Sequence, residues 1–111
     1  MALMFGIGMP TTDLKSLKGI ELTSSTASVG QVTVGTTATL IRPENLGRRF
    51  LVVVNNSGGS IFIGPDNTVT TTTGLEIPTG LALDLTRLLE GYTGPIYGIA
   101  SAPRTISYWE G

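Results

Sequence analysis

The side chains that carry most covalent and metal chemistry are missing from this chain: its 111 residues include no histidine and no cysteine. That excludes His/Cys zinc sites, Ser-His-Asp and Cys-His nucleophilic machinery, disulfides and iron–sulfur clusters. No cofactor and no metal are expected, and the chain is read as a non-enzyme. The carboxylates Asp13, Glu21, Glu44, Asp66, Glu76, Asp84, Glu90 and Glu110 are scattered, each in or beside a turn. Paired acid catalysis needs two carboxyls held about 5–10 Å apart across a substrate, and no spacing here points to such a pair, so they read as solvated turn residues. Asp66-Asn67 alone falls short of the roughly six oxygens a calcium site needs and reads as a turn.

Arg48-Arg49 is the sole basic doublet, and the net charge is −1. A nucleic-acid surface would need a wider basic patch with interleaved aromatics, so neither nucleic acid nor an anionic membrane is an expected partner. The doublet is expected to cap a loop or to pair with a carboxylate such as Glu44. Among the aromatics, Tyr92, Tyr108 and Trp109 are candidates for a sugar-stacking surface, against core and interface packing as the plainer role. Gly6-Ile7-Gly8 follows no strand and lacks a third glycine, so it is not a dinucleotide fingerprint.

The elements that must position these residues are mostly strands. Charged residues make up 14% of the chain and hydrophobic residues 41%, with 17 threonines and 15 glycines. Such low charge argues against a disordered chain, and the lack of Ala/Glu/Lys/Arg stretches argues against a helical bundle. The length allows one core. Met1 to Met9 is apolar throughout and ends at Pro10. No Lys or Arg precedes Lys15, as a secretory signal would require, and the run is shorter than the roughly 20 residues of a membrane-spanning helix. It reads as an extended arm. Left in water it would be an aggregation liability, so it is expected to dock on its own domain or on another chain, with Leu3, Met4, Phe5, Ile7 and Met9 as the anchor. Residues 1–26 are read as this arm and a connector, including a helical turn or two over Thr12–Gly19 and a short strand at Ile20–Leu22; residues 27–111 are read as the folded domain.

From Ala27 onward short strands alternate with turn clusters. Val29–Val34 and Ala38–Ile41 read as early strands, and Arg42–Gly47 as a loop set by Pro43 and Gly47. Arg49–Asn55 is apolar on both alternating faces, which predicts a central strand covered on each side. Asn56-Ser57-Gly58-Gly59 predicts a hairpin returning along Ser60–Gly64. Gly74–Pro78 and Leu81–Leu85, joined by Thr79-Gly80, predict a second hairpin. Val69–Thr73 reads as an exposed edge or loop, and Thr86–Glu90 as one short turn. Pro95–Ala100 and Thr105–Glu110 close the domain. The fold class is all-β: an antiparallel β-sandwich or jelly-roll-like barrel of about eight short strands, preceded by the apolar arm.

The pattern over Val32 to Trp109 resembles a known group. Arg48-Arg49 leading Phe50–Asn56, then Ile61-Phe62-Ile63-Gly64, Val69-Thr70, Gly74-Leu75-Glu76-Ile77-Pro78 and Gly94-Pro95-Ile96-Tyr97-Gly98-Ile99-Ala100 is similar to small β-sandwich virion accessory proteins of tailed bacteriophages, of the capsid decoration, cement or head-fibre-base type. The resemblance carries no catalytic residues. It implies a virion component on the capsid surface that binds the major capsid protein or other virion proteins, often as a homotrimer. A neck, tail or fibre-base position is the alternative within that class, and a glycan-binding module the alternative outside it.

Overall fold

The computed structural model describes residues 27–111. The helical turn expected at Thr12–Gly19, the strand expected at Ile20–Leu22 and the arm residues Leu3, Met4, Phe5, Ile7 and Met9 lie outside the described residues. The remainder is an all-β sandwich of two four-stranded antiparallel sheets. In chain order the strands are β1 (Ser28–Val34), β2 (Thr39–Arg42), β3 (Leu51–Asn55), β4 (Ile61–Gly64), β5 (Leu75–Ile77), β6 (Leu81–Asp84), β7 (Ile96–Ile99) and β8 (Arg104–Glu110), with a one-turn helix α1 (Leu85–Leu88) after β6. One sheet has the order β1-β8-β3-β6, the other β2-β7-β4-β5. Apart from β4 and β5, consecutive strands belong to opposite sheets, and this alternation is the strand order of a jelly roll.

Inward-facing residues of both sheets make one core. Val34, Leu51, Val53, Ile61, Ile77, Ile96 and Ile106 are almost wholly buried on the inward faces of their strands, and Leu85 of α1 is buried with them. At about 25 cal/mol per Å² of apolar surface, each such side chain contributes roughly 1.5–3 kcal/mol. Val69, inside the threonine-rich loop, also turns inward, against Gly64 and Gly74, where a Cβ would meet its side chain at 2.8–2.9 Å.

Strand positions follow the sequence pattern, but strand partners do not. The hairpin expected around Asn56–Gly59 does not form: β3 pairs with β6 and β8, whereas β4 pairs with β5 and β7. The turn is present, yet it arches from one sheet to the other. The buried Asn55 side chain is the physical reason, since its Nδ2 donates to Gly59 O at 2.9 Å and to Ile77 O at 2.7 Å, on the opposite sheet. The second expected hairpin is an arch as well, with β5 and β6 in different sheets and Thr79 Oγ1 accepting from Gly58 N at 2.9 Å. Gly58, at φ +91, takes the left-handed backbone that this arch needs. β7 and β8 likewise close opposite sheets.

β3 is central, between β8 and β6, as expected. Its outer side differs from expectation: Val52 is half-buried and Val54 is 38% exposed. Covering on both faces, inferred from the unbroken apolar run, is not what the described residues provide.

Candidate interaction surface

Trp109 is the most exposed aromatic of the three candidates, and two neighbours on β8 explain why it faces out. Tyr108 and Glu110 alternate with it along the strand and are tied to the interior. Glu110 is buried and forms two ion pairs, with Arg48 Nε at 2.6 Å and Arg42 Nε at 2.8 Å. Arg48 is itself buried, and its remaining nitrogens donate to the carbonyls of Pro43, Tyr92 and Gly94. Arg42 Nη1 donates to Tyr108 Oη at 2.9 Å while its guanidinium lies 4.3 Å from the centre of that ring, a cation–π contact. Burial pushes the Glu110 carboxyl up, but the hydrogen bonds and charges of Arg48 and Arg42 outweigh it and hold the group below the ordinary carboxylate range.

This cluster corrects two expectations. Arg48 pairs with Glu110 and not with Glu44, which is exposed. Glu110 is no solvated turn residue but the anion that neutralises two guanidinium groups between the sheets. A signal was present in the sequence, because Glu110 shares its parity along the strand with Ile106 and Tyr108, which the core claims.

The three sugar-stacking candidates do not share a surface. Tyr92 packs against the core and donates its hydroxyl to Pro95 O at 2.8 Å. Tyr108 lies between the sheets under Arg42. Trp109 stands on the opposite side of β8, 55% exposed, with Phe50 edge-on at 6.1 Å between ring centres. A platform of all three is therefore not formed; the indole alone is free to stack.

What surrounds Trp109 is an apolar face. Val29 of β1 and Val52 of β3 stand directly opposite it in the two flanking strands. One row along, Gln31, Ser107, Val54 and Ala82 align across the sheet. Val29 is 74% exposed. Among the described residues the one ionisable side chain on this outer face is Asp84, at its β6 corner, and its carboxylate accepts from the N–H groups of Thr86 and Arg87 as the cap of α1. A contiguous face whose one carboxylate is tied up at a corner and whose centre exposes a tryptophan marks a binding surface more often than a solvated one.

Elsewhere, an open pocket of about 570 Å³ is lined by Ile63, Val69, Leu75, Leu89, Tyr92 and Ile96, with Asp66 and Thr68 among its polar residues. The Asp66 carboxylate accepts from the Thr68 hydroxyl and N–H, which hold its pKa below the ordinary range. That makes Asp66 the turn residue its sequence context predicts. Among the described residues no three carboxylates converge, and no helix is long and apolar enough to cross a membrane.

Compared with protein-family models, with curated proteins and with solved structures, the chain matches none. The class that the structure itself defines is an eight-stranded antiparallel sandwich in jelly-roll order, with a charge-poor face around Trp109.

Proposed function

We propose that the chain is a non-enzymatic structural protein of a bacteriophage virion, a capsid decoration or cement protein that binds across junctions of the major capsid protein and stabilises the head. The observation that carries this reading is the charge-poor outer face of the β1-β8-β3-β6 sheet, with Trp109 and Val29 exposed at its centre and edge. Jelly rolls recur among viral capsid and lectin domains, though a fold alone hosts many functions, and the sequence pattern over Val32 to Trp109 resembles phage accessory proteins. The mechanism is mechanical. The sandwich lies on the coat through its apolar face, and Leu3, Met4, Phe5, Ile7 and Met9 anchor it to a neighbour. A nine-residue apolar arm buries on the order of several hundred Å², worth several kcal/mol before ordering costs, and repetition over symmetry-related copies multiplies the effect.

Quantitative mass spectrometry of particles whose genome encodes the chain tests the reading. Decoration predicts on the order of hundreds of copies per particle; a neck, tail or fibre-base position predicts about a dozen or fewer, as closed rings require. Absence from purified particles refutes both. Deleting Met1 to Met9 is expected to abolish particle binding while circular dichroism stays that of a folded sandwich. Unchanged binding would show that the arm is not the anchor.

A glycan-binding module keeps one observation in its favour, the exposed indole of Trp109. A glycan array probed with the full chain, and with Trp109→Ala, decides it; no hits would remove this reading.

A further inference from the structure

The sandwich has four edge strands, and three of them are protected. β2 (Thr39–Arg42) has a register shift between Leu40 and Arg42 and ends in a charge. β5 (Leu75–Ile77) is three residues long, carries Glu76 at its centre and runs into Pro78. β6 (Leu81–Asp84) is four residues long and ends in Asp84, which caps α1. Short length, charge, proline and bulges are the devices by which native sheets prevent edge-to-edge pairing. β1 has none of them. It is seven residues long, Ser-Val-Gly-Gln-Val-Thr-Val, in unbroken register with β8, and among the described residues nothing pairs with its other side.

We infer that β1 is an interface strand that pairs antiparallel with β1 of a second copy of this chain about a two-fold axis. Chemistry and symmetry both favour a second copy as the occupant. An isologous contact requires a self-complementary surface, and an uncharged strand set against itself brings no like charges together. Directly opposed residues of an antiparallel pair point to the same side of the sheet. A two-fold axis normal to the sheet keeps outer residues outer, so it must pass through a residue position. Full overlap of Ser28–Val34 places that axis at Gln31, the middle of the strand. Gln31 then meets its own counterpart, amide to amide, each able to donate and accept, while Val29 meets the counterpart of Thr33. Two four-stranded sheets merge into one, and the exposed Val29 and Trp109 of each copy flank the seam. The inference does not rest on the virion reading: a two-fold dimer also forms in solution without any particle, and its mass separates it from the trimer that the phage resemblance implies.

The experiment uses the full chain. Sedimentation over about 1 to 100 µM is expected to show a species of twice the 11.6 kDa chain mass. Gln31→Lys sets two like charges face to face and is expected to weaken the dimer at least tenfold at low salt, with the circular dichroism of the wild type. Because the chain has no cysteine, Gln31→Cys reports the register directly. Two facing thiols, losing two protons and two electrons to added diamide, form a disulfide-linked dimer, whereas Thr73→Cys on the other sheet's loop does not. A monomer throughout the concentration range overturns the inference. So does a trimer indifferent to Gln31→Lys, or cross-linking at Gln31→Cys no faster than at Thr73→Cys. Should Gln31→Lys fail to fold, the cysteine pair decides alone.

Discussion

Glu110 is where a single residue has most leverage. It neutralises two arginines, one of them buried, and the carbonyl contacts of Arg48 mean that this guanidinium cannot swing to solvent without breaking the 43–48 and 92–94 loops. Removing one partner of a buried pair leaves the other charge uncompensated, which costs about 3–5 kcal/mol. Glu110→Gln is therefore expected to lower stability by that order in urea unfolding, whereas Glu44→Gln, at an exposed site, is expected to change it by less than about 0.5 kcal/mol. The pH dependence has a definite sign. The folded carboxyl titrates below its unfolded value, so its contribution is fully present above the unfolded pKa and is lost as pH falls through the folded one. Wild-type stability should fall on acidification in that window, and the Glu110→Gln variant should show a flatter profile. A variant with the same acid slope as the wild type would show that another group controls it. The burial of Glu110 was legible in the parity of β8, but its partners were not: Arg42 and Arg48 lie 68 and 62 positions before it along the chain, and only the closing of the two sheets brings them to it.

At the scale of elements, the chain specifies strands more clearly than their partners. Alternation and β-branched residues mark β1, β3, β4 and β8, and Gly and Pro mark what separates them. Those signals are local. Asn56-Ser57-Gly58-Gly59 satisfies the backbone needs of a hairpin and of an arch equally, so turn chemistry cannot choose between pairing β3 with β4 and crossing to the other sheet. The choice falls to Asn55, whose buried amide bridges Gly59 O and Ile77 O and whose own carbonyl accepts from Gly80 N at 2.6 Å. This side chain joins the two arches at one end of the sandwich. Asn55→Ala would take this donor from the buried Ile77 carbonyl, at about 1–3 kcal/mol, and would leave Gly59 O with the Ser57 hydroxyl alone. Its expected signature is a destabilised domain in which amide exchange quickens first at 56–60 and 78–80, and only later in β8. Uniform acceleration across all strands would mean that the arch has no separate role. Asn55→Asp should not rescue, because a carboxylate cannot donate to either carbonyl.

At the scale of the whole molecule, the outer face of the β1-β8-β3-β6 sheet is what a small, cysteine-free domain would be expected to bury. The composition already shows restraint in charge, 14% against about 25% in typical domains, and the structure gathers that restraint around Val29, Val52, Val54 and Trp109. The apolar run of β3 was legible as needing cover on both sides; what the fold adds is that the described domain covers one side only. A second copy at β1 closes the edge of that face and extends it into a continuous sheet, and it makes stability depend on concentration, since anything that binds the native state and not the unfolded one raises the melting temperature by mass action. For a two-fold dimer each tenfold increase in protein contributes about 0.7 kcal/mol per chain, half of the tenfold increment. With an unfolding entropy near 2.1 cal/mol/K per residue, the melting temperature should rise by roughly 3 °C per decade of concentration. Gln31→Lys, whose dimer is at least tenfold weaker, should melt at least about 3 °C below the wild type at the same concentration in the range where the wild type is dimeric. A wild-type melting temperature that stays constant from dilute to concentrated solution would show that β1 does not pair with a second copy, and that the outer face around Trp109 acts without one.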